Sequence, residues 1–266
     1  MDRVTFNKFR EIVYNKSGIA LGEGKEALVC SRVAKRMRFL GINDHRSYLR
    51  YVIQDITGEE VVKLLDAIST NVTSFFREPS HFEILSKIAS QWLSAGQRRL
   101  RIWSAACSTG EEPYSIAITL LETIKRIPVD LKILATDIST RVLEKCQEGC
   151  YDKDKVKTVP MILREKYFEQ HNNSHDTYYF VKSFLKNLIL FRRLNLSNPP
   201  FPIKGHIDVI FCRNVMIYFD NSVRKRLLAE LYHLLKPGGY LIVGHAESLT
   251  GMVSDFRSIG PSIYAK

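Results

Sequence analysis

Leu100-Arg101-Ile102-Trp103-Ser104-Ala105-Ala106-Cys107-Ser108-Thr109-Gly110-Glu111-Glu112-Pro113-Tyr114 decides how the rest of the chain is read. The apolar run over residues 100–105 has the length of a buried strand, and it gives way to small residues and Gly110 before two acids and Pro113 open a helix over 112–124. A strand that passes through such a turn into a helix lets backbone come close to a ligand. The stretch is not the dinucleotide signature G-x-G-x-x-G, and it is not a phosphate loop, because no Lys follows the glycine. Glu111 and Glu112 would repel a pyrophosphate and suit a cationic amino group, which points to a nucleoside carrying an ammonium or sulfonium; S-adenosylmethionine fits. The competing reading is that the two acids only complement the helix dipole.

Outward from this turn, short apolar strands alternate with amphipathic helices, the pattern of an α/β domain with a largely parallel sheet. Strands are expected at 131–136, 188–194, 207–212 and 240–243, with a final edge strand at 262–265. Helices are expected at 140–148 and 223–235, and Lys236-Pro237-Gly238-Gly239 is read as a helix stop and turn. The order of parts is that of a Rossmann-like sheet spanning 71–266, in which ligands collect at the carboxyl ends of strands. Residues 167–187 interrupt the alternation as a small β-hairpin insertion.

Residues 1–70 differ in texture. Phe6, Phe9, Ile12 and Val13, then Leu28, Val33, Met37 and Leu40, then Tyr48, Val52 and Ile53 recur at helical spacing between glycines, so a small all-helical domain is expected there. Arg32, Lys35, Arg36 and Arg38 form a basic stretch on it. The net charge of +11 implies an acidic partner without choosing among nucleic acid, anionic lipid, an acidic protein and an anionic small molecule. Five scattered cysteines match neither a disulfide framework nor a zinc site, and the pair Cys146 and Cys150 has no His or further Cys nearby, so no metal site is expected. The first eight residues lack the apolar core of a signal peptide, and no run of about 18 apolar residues occurs. A cytoplasmic protein without membrane insertion is the expectation.

Further polar residues fall at expected strand ends. Asp137 can accept ribose hydroxyls or cap the next helix. Asn195 and Leu196 end the third strand, and Arg213 and Asn214 the fourth, where Arg213 needs a partner and Asn214 is either a ligand or a cap. Asn198-Pro199-Pro200-Phe201 resembles the motif by which adenine and glutamine methyltransferases hold a planar amide or amine. Here it precedes the strand it should follow, so a rigid loop is the expectation.

Asn71-Val-Thr73-Ser-Phe-Phe-Arg77-Glu, Trp103 to Ser115, Thr136-Asp137-Ile138, Asn195-Leu196 and Phe211-Cys-Arg213-Asn214-Val-Met-Ile-Tyr218-Phe, in this order, make the chain resemble the CheR-type chemotaxis receptor methyltransferases over nearly its whole length. The resemblance implies transfer of a methyl group from S-adenosylmethionine to glutamate side chains of chemoreceptor cytoplasmic helices, with S-adenosylhomocysteine as product. It implies that Asn71, Thr73, Arg77, Glu112, Asp137, Asn195, Leu196, Arg213 and Asn214 line the cofactor site. Glu112 would hold the amino group, Asp137 the ribose, and Asn195 with Leu196 would neighbour the adenine. Arg77 and Tyr218 are the implied catalytic positions, facing methyl group and substrate carboxylate. Arg32, Lys35, Arg36 and Arg38 match the receptor-contacting helix of the family. Some members read a receptor tail peptide through an insertion bearing Gly-Pro; residues 171–179 here have neither, so the resemblance does not extend to that tether. A monomer suffices. The alternatives carried forward are a non-catalytic S-adenosylmethionine sensor and a nucleic-acid methyltransferase.

Overall fold

The computed structural model describes residues 1–69, 71–173, 176–249 and 255–266. Thr70, read above as the end of the helical segment, and Ser174 with His175, within the expected insertion, lie outside the described residues.

Four helices come first: α1 (Arg3–Ser17), α2 (Glu26–Leu40), α3 (His45–Gln54) and α4 (Glu59–Ile68). The Asp2 carboxylate accepts the Thr5 N–H at 3.0 Å and so caps α1. Phe6, Phe9 and Val13 of α1, Val29, Val33 and Met37 of α2, Tyr48 and Val52 of α3, and Leu64 and Leu65 of α4 close a core of this segment, against which Ile138 packs from outside it. The α2 stripe buries Val33 and Met37 as expected and differs only at its start, where Val29 is buried and Leu28 faces the cavity described below. Ile53 is exposed.

The remainder runs α5 (Ser80–Ser94), β1 (Arg99–Ser104), α6 (Glu111–Ile124), β2 (Asp130–Asp137), α7 (Thr140–Glu148), β3 (Cys150–Asp152), α8 (Lys153–Val156), α9 (Met161–Tyr167), β4 (Phe168–Asn172), β5 (Thr177–Val181), α10 (Ser183–Lys186), β6 (Ile189–Arg193), β7 (Ile207–Cys212), a 3-10 turn (Met216–Tyr218), α11 (Asn221–Leu234), β8 (Leu235–Val243), β9 (Arg257–Gly260) and β10 (Ile263–Ala265). Seven of the strands form one sheet in the order β6-β2-β1-β7-β8-β10-β9. The first five are parallel, β10 runs antiparallel to β8, and β9 runs antiparallel to β10. All six residues of β7 are buried, which explains the unbroken apolar run; Asp208 is tolerated because its carboxylate accepts the Arg101 N–H at 2.6 Å and pairs with Lys236. From β1 the chain moves outward to β2 and β6, then returns to β7 on the other side of β1. The winding therefore reverses between β1 and β7, and the loops leaving their carboxyl ends diverge there to leave a crevice.

The Rossmann-like sheet, the helical N-terminal segment and the inserted hairpin are all present, with three differences from the expected details. Residues 262–265 are not at the edge, because β10 lies between β8 and the outer β9, a strand of largely exposed residues with no apolar alternation to reveal it. Lys236-Pro237-Gly238-Gly239 is a bulge inside β8 rather than a turn before it: Ile207 faces Leu235 while Val209 faces Tyr240. The hairpin β4–β5 is completed by β3 into a three-stranded antiparallel sheet, so the insertion begins at Cys150; three residues are too few to show a period.

Candidate active site

The loop after β1 is lashed to both neighbouring strands. Ala105 N–H donates to Phe211 O at 2.8 Å in β7, and Cys107 N–H to Thr136 O at 2.9 Å in β2. Ser108 N–H donates to Asp137 Oδ2 at 2.9 Å, and Ser139 N–H to Asp137 Oδ1 at 3.0 Å, so the carboxylate at the end of β2 is fixed by one backbone donor on each oxygen. Each oxygen keeps a free acceptor direction. Burial pushes the Asp137 carboxyl up from its ordinary range, with the backbone N–H groups opposing.

Glu112, on the first turn of α6, accepts Ser104 Oγ–H at 2.7 Å and Arg213 Nη1–H at 3.0 Å. Burial raises this carboxyl too, against the pull of Arg213 and Ser104. Arg213, 5% exposed, leaves the end of β7 and is held between Glu112 and Glu78, each at 3.0 Å, while also donating to Arg77 O. The partner that the sequence required for Arg213 is thus a pair of acids. Glu111 diverges from its neighbour. It is fully buried, accepts Thr109 Oγ1–H at 2.6 Å and pairs with Lys155 at 2.9 Å, away from the crevice. The expectation that both acids suit a ligand cation is corrected to Glu112 alone. Gly110 is also not where backbone meets a ligand. At φ 98° it is in left-handed space, and a methyl group there would lie 2.7 Å from the Tyr151 hydroxyl, so its smallness serves the packing of the insertion. Ala105, Ala106 and Ser108 line the crevice instead.

Two segments cover the strand ends. The first, 71–77, is tied down by Ser108 Oγ–H to Asn71 O at 2.9 Å, Phe76 N–H to Ser115 Oγ at 2.9 Å and Thr158 Oγ1–H to Phe75 O at 3.2 Å. Within it, Arg77 Nη1 donates to Val72 O at 3.0 Å. The second, following α1, bridges to the 3-10 turn: Ala20 N–H donates to Tyr218 O at 2.8 Å, and Ile19 forms a bridge with Phe219. Gly18 makes the approach possible, since a methyl group there would lie 2.4 Å from Ser197 Cβ. Asn195 completes the join, donating to Lys16 O at 2.9 Å and accepting from Ser197 N–H at 3.0 Å and Ser197 Oγ–H at 2.8 Å.

These walls enclose a cavity of about 270 Å³. Asn71, Thr73, Arg77, Glu112, Asp137, Asn195, Leu196, Arg213, Asn214 and Tyr218, drawn from five separate stretches of the sequence, all line it. Two carboxylates that burial makes costly as anions face a space rimmed by an arginine and a phenol, an arrangement suited to a ligand offering a cation and hydroxyl donors. Arg32, Lys35, Arg36 and Arg38 lie elsewhere, on α2. Arg32 donates to Ser69 O at 2.7 Å and Arg36 grips buried Glu60 through two bonds, which leaves Lys35 and Arg38 as the exposed cations of the four. Asn198 to Phe201 do not line the cavity; Phe201 packs edge-on against Trp103 at 5.7 Å.

Sequence reading missed Glu247 and Glu78. Glu247, 5% exposed, accepts N–H bonds from Asn214, from Gly244 at 2.9 Å and from Ile217 at 3.3 Å, and so fixes Asn214 at a φ of 56°. An acid just past the end of β8 was the available signal. The strap of Ser17 to Gly22 has no reading of its own in the sequence beyond Gly18 and Gly22, which punctuate the helical spacing.

A parallel sheet that reverses its winding above such an acid-lined cavity defines a Rossmann-like S-adenosylmethionine-dependent methyltransferase. Residues 71–265 match the family model of the CheR methyltransferase, SAM binding domain, and residues 5–69 that of the CheR methyltransferase, all-alpha domain; the chain belongs to the CheR methyltransferase family. It is 40% identical over 263 residues to the chemotaxis protein methyltransferase of Borreliella burgdorferi, covering 96% of this chain and 92% of that one. It is 38% identical over 260 residues to the chemotaxis protein methyltransferase of Salmonella typhimurium, covering 98% and 89%. With chemotaxis protein methyltransferase 2 of Pseudomonas aeruginosa the identity is 39% over 263 residues, covering 99% and 93%. Among the described residues no helix is long and apolar enough to cross a membrane.

Proposed function

We propose that this chain methylates glutamate side-chain carboxylates of bacterial chemoreceptors in the cytoplasm, using S-adenosylmethionine and releasing S-adenosylhomocysteine. The observation that carries the reading is the meeting, in one cavity, of the two buried carboxylates Glu112 and Asp137 with Arg77 and Tyr218. The donor set fits the cofactor: Glu112 for its amino group, Asp137 for the ribose hydroxyls, Leu196 for the adenine, with Asn71, Thr73 and Asn214 completing the walls. Arg213 is held by Glu112 and Glu78, so its part is to position Glu112. Asn195 acts through the join it makes between α1 and the loop after β6.

When bound, S-adenosylmethionine supplies an electrophilic methyl group on a positively charged sulfur. The accepting carboxylate is already ionised at neutral pH, so no residue has to remove a proton. What the chain adds is alignment of the carboxylate and exclusion of water from it. Arg77, tethered to Val72 O, steers the carboxylate by charge. The Tyr218 hydroxyl has no hydrogen bond to any other group among the described residues, so it is available to donate to one carboxylate oxygen. Too tight a grip by Arg77 would stabilise the ground state as well, so its value lies in direction rather than strength. Lys35 and Arg38 supply a weak, salt-sensitive contact to acidic receptor helices.

The test is incubation with methyl-labelled S-adenosylmethionine and chemoreceptor-containing membranes, followed by mild alkali. Label on the receptor that alkali releases is the expected result, because esters hydrolyse in base. Label that resists alkali, or that resides in nucleic acid, overturns the proposal.

A further inference from the structure

A second polar cluster lies beside Arg213, where the segment leading into α5 meets the loop after β8. Glu78, His81 and His245 each present one ligand-type atom there, all within 4.8 Å of one another. His81 is 1% exposed, yet neither ring nitrogen has a hydrogen-bond partner. Glu78 Oε2, ion-paired with Arg213 Nη2 at 3.0 Å, faces His81 Nδ1 at 3.3 Å without a hydrogen bond between them. Buried polar atoms left silent in this way cost stability and call for an occupant. The backbone at Glu78 is held at a φ of 59°, a strained conformation for a side-chain-bearing residue, and this keeps its carboxylate against His81.

We propose that Glu78, His81 and His245 form a binding site for a divalent metal of the zinc class. Two imidazoles and one carboxylate suit Zn²⁺, whereas Mg²⁺ and Ca²⁺ favour all-oxygen shells. Metal bonds of about 2.0–2.1 Å set tetrahedral donors about 3.3 Å apart, which is the Glu78–His81 separation already present. His245 lies at the exposed rim, its ring 4.9 Å from that of His81, so the fourth position opens to water.

Arg213 is the group that opposes a cation here. Glu112 on its other side offsets that charge, and Glu78 Oε2, which lies 3.0 Å from Arg213, is also the oxygen that faces His81, so a metal held there would share it with Arg213. The metal thereby grips the same carboxylate that braces Arg213 against Glu112, which links this site to the cofactor cavity. Spacing along the chain could not reveal it, because His245 follows the other two ligands only after almost the whole sheet.

The experiment uses the full chain stripped with a chelator and titrated with zinc chloride by calorimetry, and with Co²⁺ by visible absorption. One equivalent of zinc and the intense visible bands of tetrahedral cobalt are expected. His245→Ala, an exposed position where circular dichroism should stay unchanged, is expected to raise the zinc dissociation constant at least about tenfold and to abolish the cobalt bands. The chain has 7 histidines, so zinc binding that survives both His245→Ala and His81→Gln belongs to surface histidines and overturns the proposal, as does the absence of binding.

Discussion

Replacing Tyr218 with Phe separates a reacting hydroxyl from a structural one. Tyr218 closes the 3-10 turn after β7 and is half-buried on the cavity wall. Its backbone carbonyl accepts the Ala20 N–H at 2.8 Å, a bond the substitution leaves alone. Its hydroxyl bonds to nothing else among the described residues, so removal orphans no partner and should change unfolding free energy by less than about 0.5 kcal/mol. A hydrogen bond to an ionised carboxylate is worth about 1.5–3 kcal/mol. Whatever part of that bond survives as the carboxylate attacks is lost from kcat/KM, and for the full bond this is a fall of at least roughly tenfold, since about 1.4 kcal/mol is one decade. The assay is the initial rate of methyl incorporation into receptor membranes at saturating S-adenosylmethionine, with thermal unfolding and S-adenosylhomocysteine affinity measured alongside. An unchanged kcat/KM would remove the phenol from the reaction, and a marked loss of thermal stability would show that the hydroxyl is not free.

Glu247→Ala strips an acceptor from three backbone N–H groups and should cost at least about 2 kcal/mol in urea unfolding; it should also weaken S-adenosylhomocysteine binding, because Asn214 is no longer held. Exchanging Lys35 and Arg38 for Glu should raise the KM for receptor, most at low salt, and leave unfolding unchanged. Arg36→Ala should instead destabilise the helical segment by roughly 2–3 kcal/mol, because Glu60, 4% exposed, loses its two-pronged partner. Burial raises the Glu112 and Asp137 carboxyls in the free protein, so each lowers stability as pH climbs from the usual carboxylate range through its folded value. A ligand that needs both ionised should release protons on binding at mildly acid pH and bind more weakly as pH falls; calorimetry in buffers of different ionisation heat measures this.

The alternation of strands and helices was legible because a doubly covered parallel strand such as β7 must be apolar throughout, and the acids at strand ends stood out against that background. What escaped reading depended on contacts between distant segments. Glu111 and Glu112 are adjacent and chemically alike, and only the arrival of Lys155 from the insertion removes Glu111 from the cavity. Arg32 and Arg36 look as exposed as Lys35 and Arg38 until α4 packs against α2 and offers Ser69 O and Glu60. Gly110 has the conformation that the turn demanded, but the neighbour that requires its smallness is Tyr151, far along the chain. The strap after α1 carried no periodic signal, because it is an irregular segment held by backbone bonds to Phe219 and Tyr218, with only Ile19 and Leu21 turned into the cores.

The account depends most on the cavity at the ends of β1, β2 and β7 holding the cofactor through its two acids. Calorimetric titration of S-adenosylhomocysteine into the wild-type chain and into Asp137→Asn tests it directly. One site in the wild type and an affinity lower by at least about tenfold in the variant is the expected outcome, since hydrogen bonds to a charged acceptor are lost. Equal affinity in the two proteins would contradict the account.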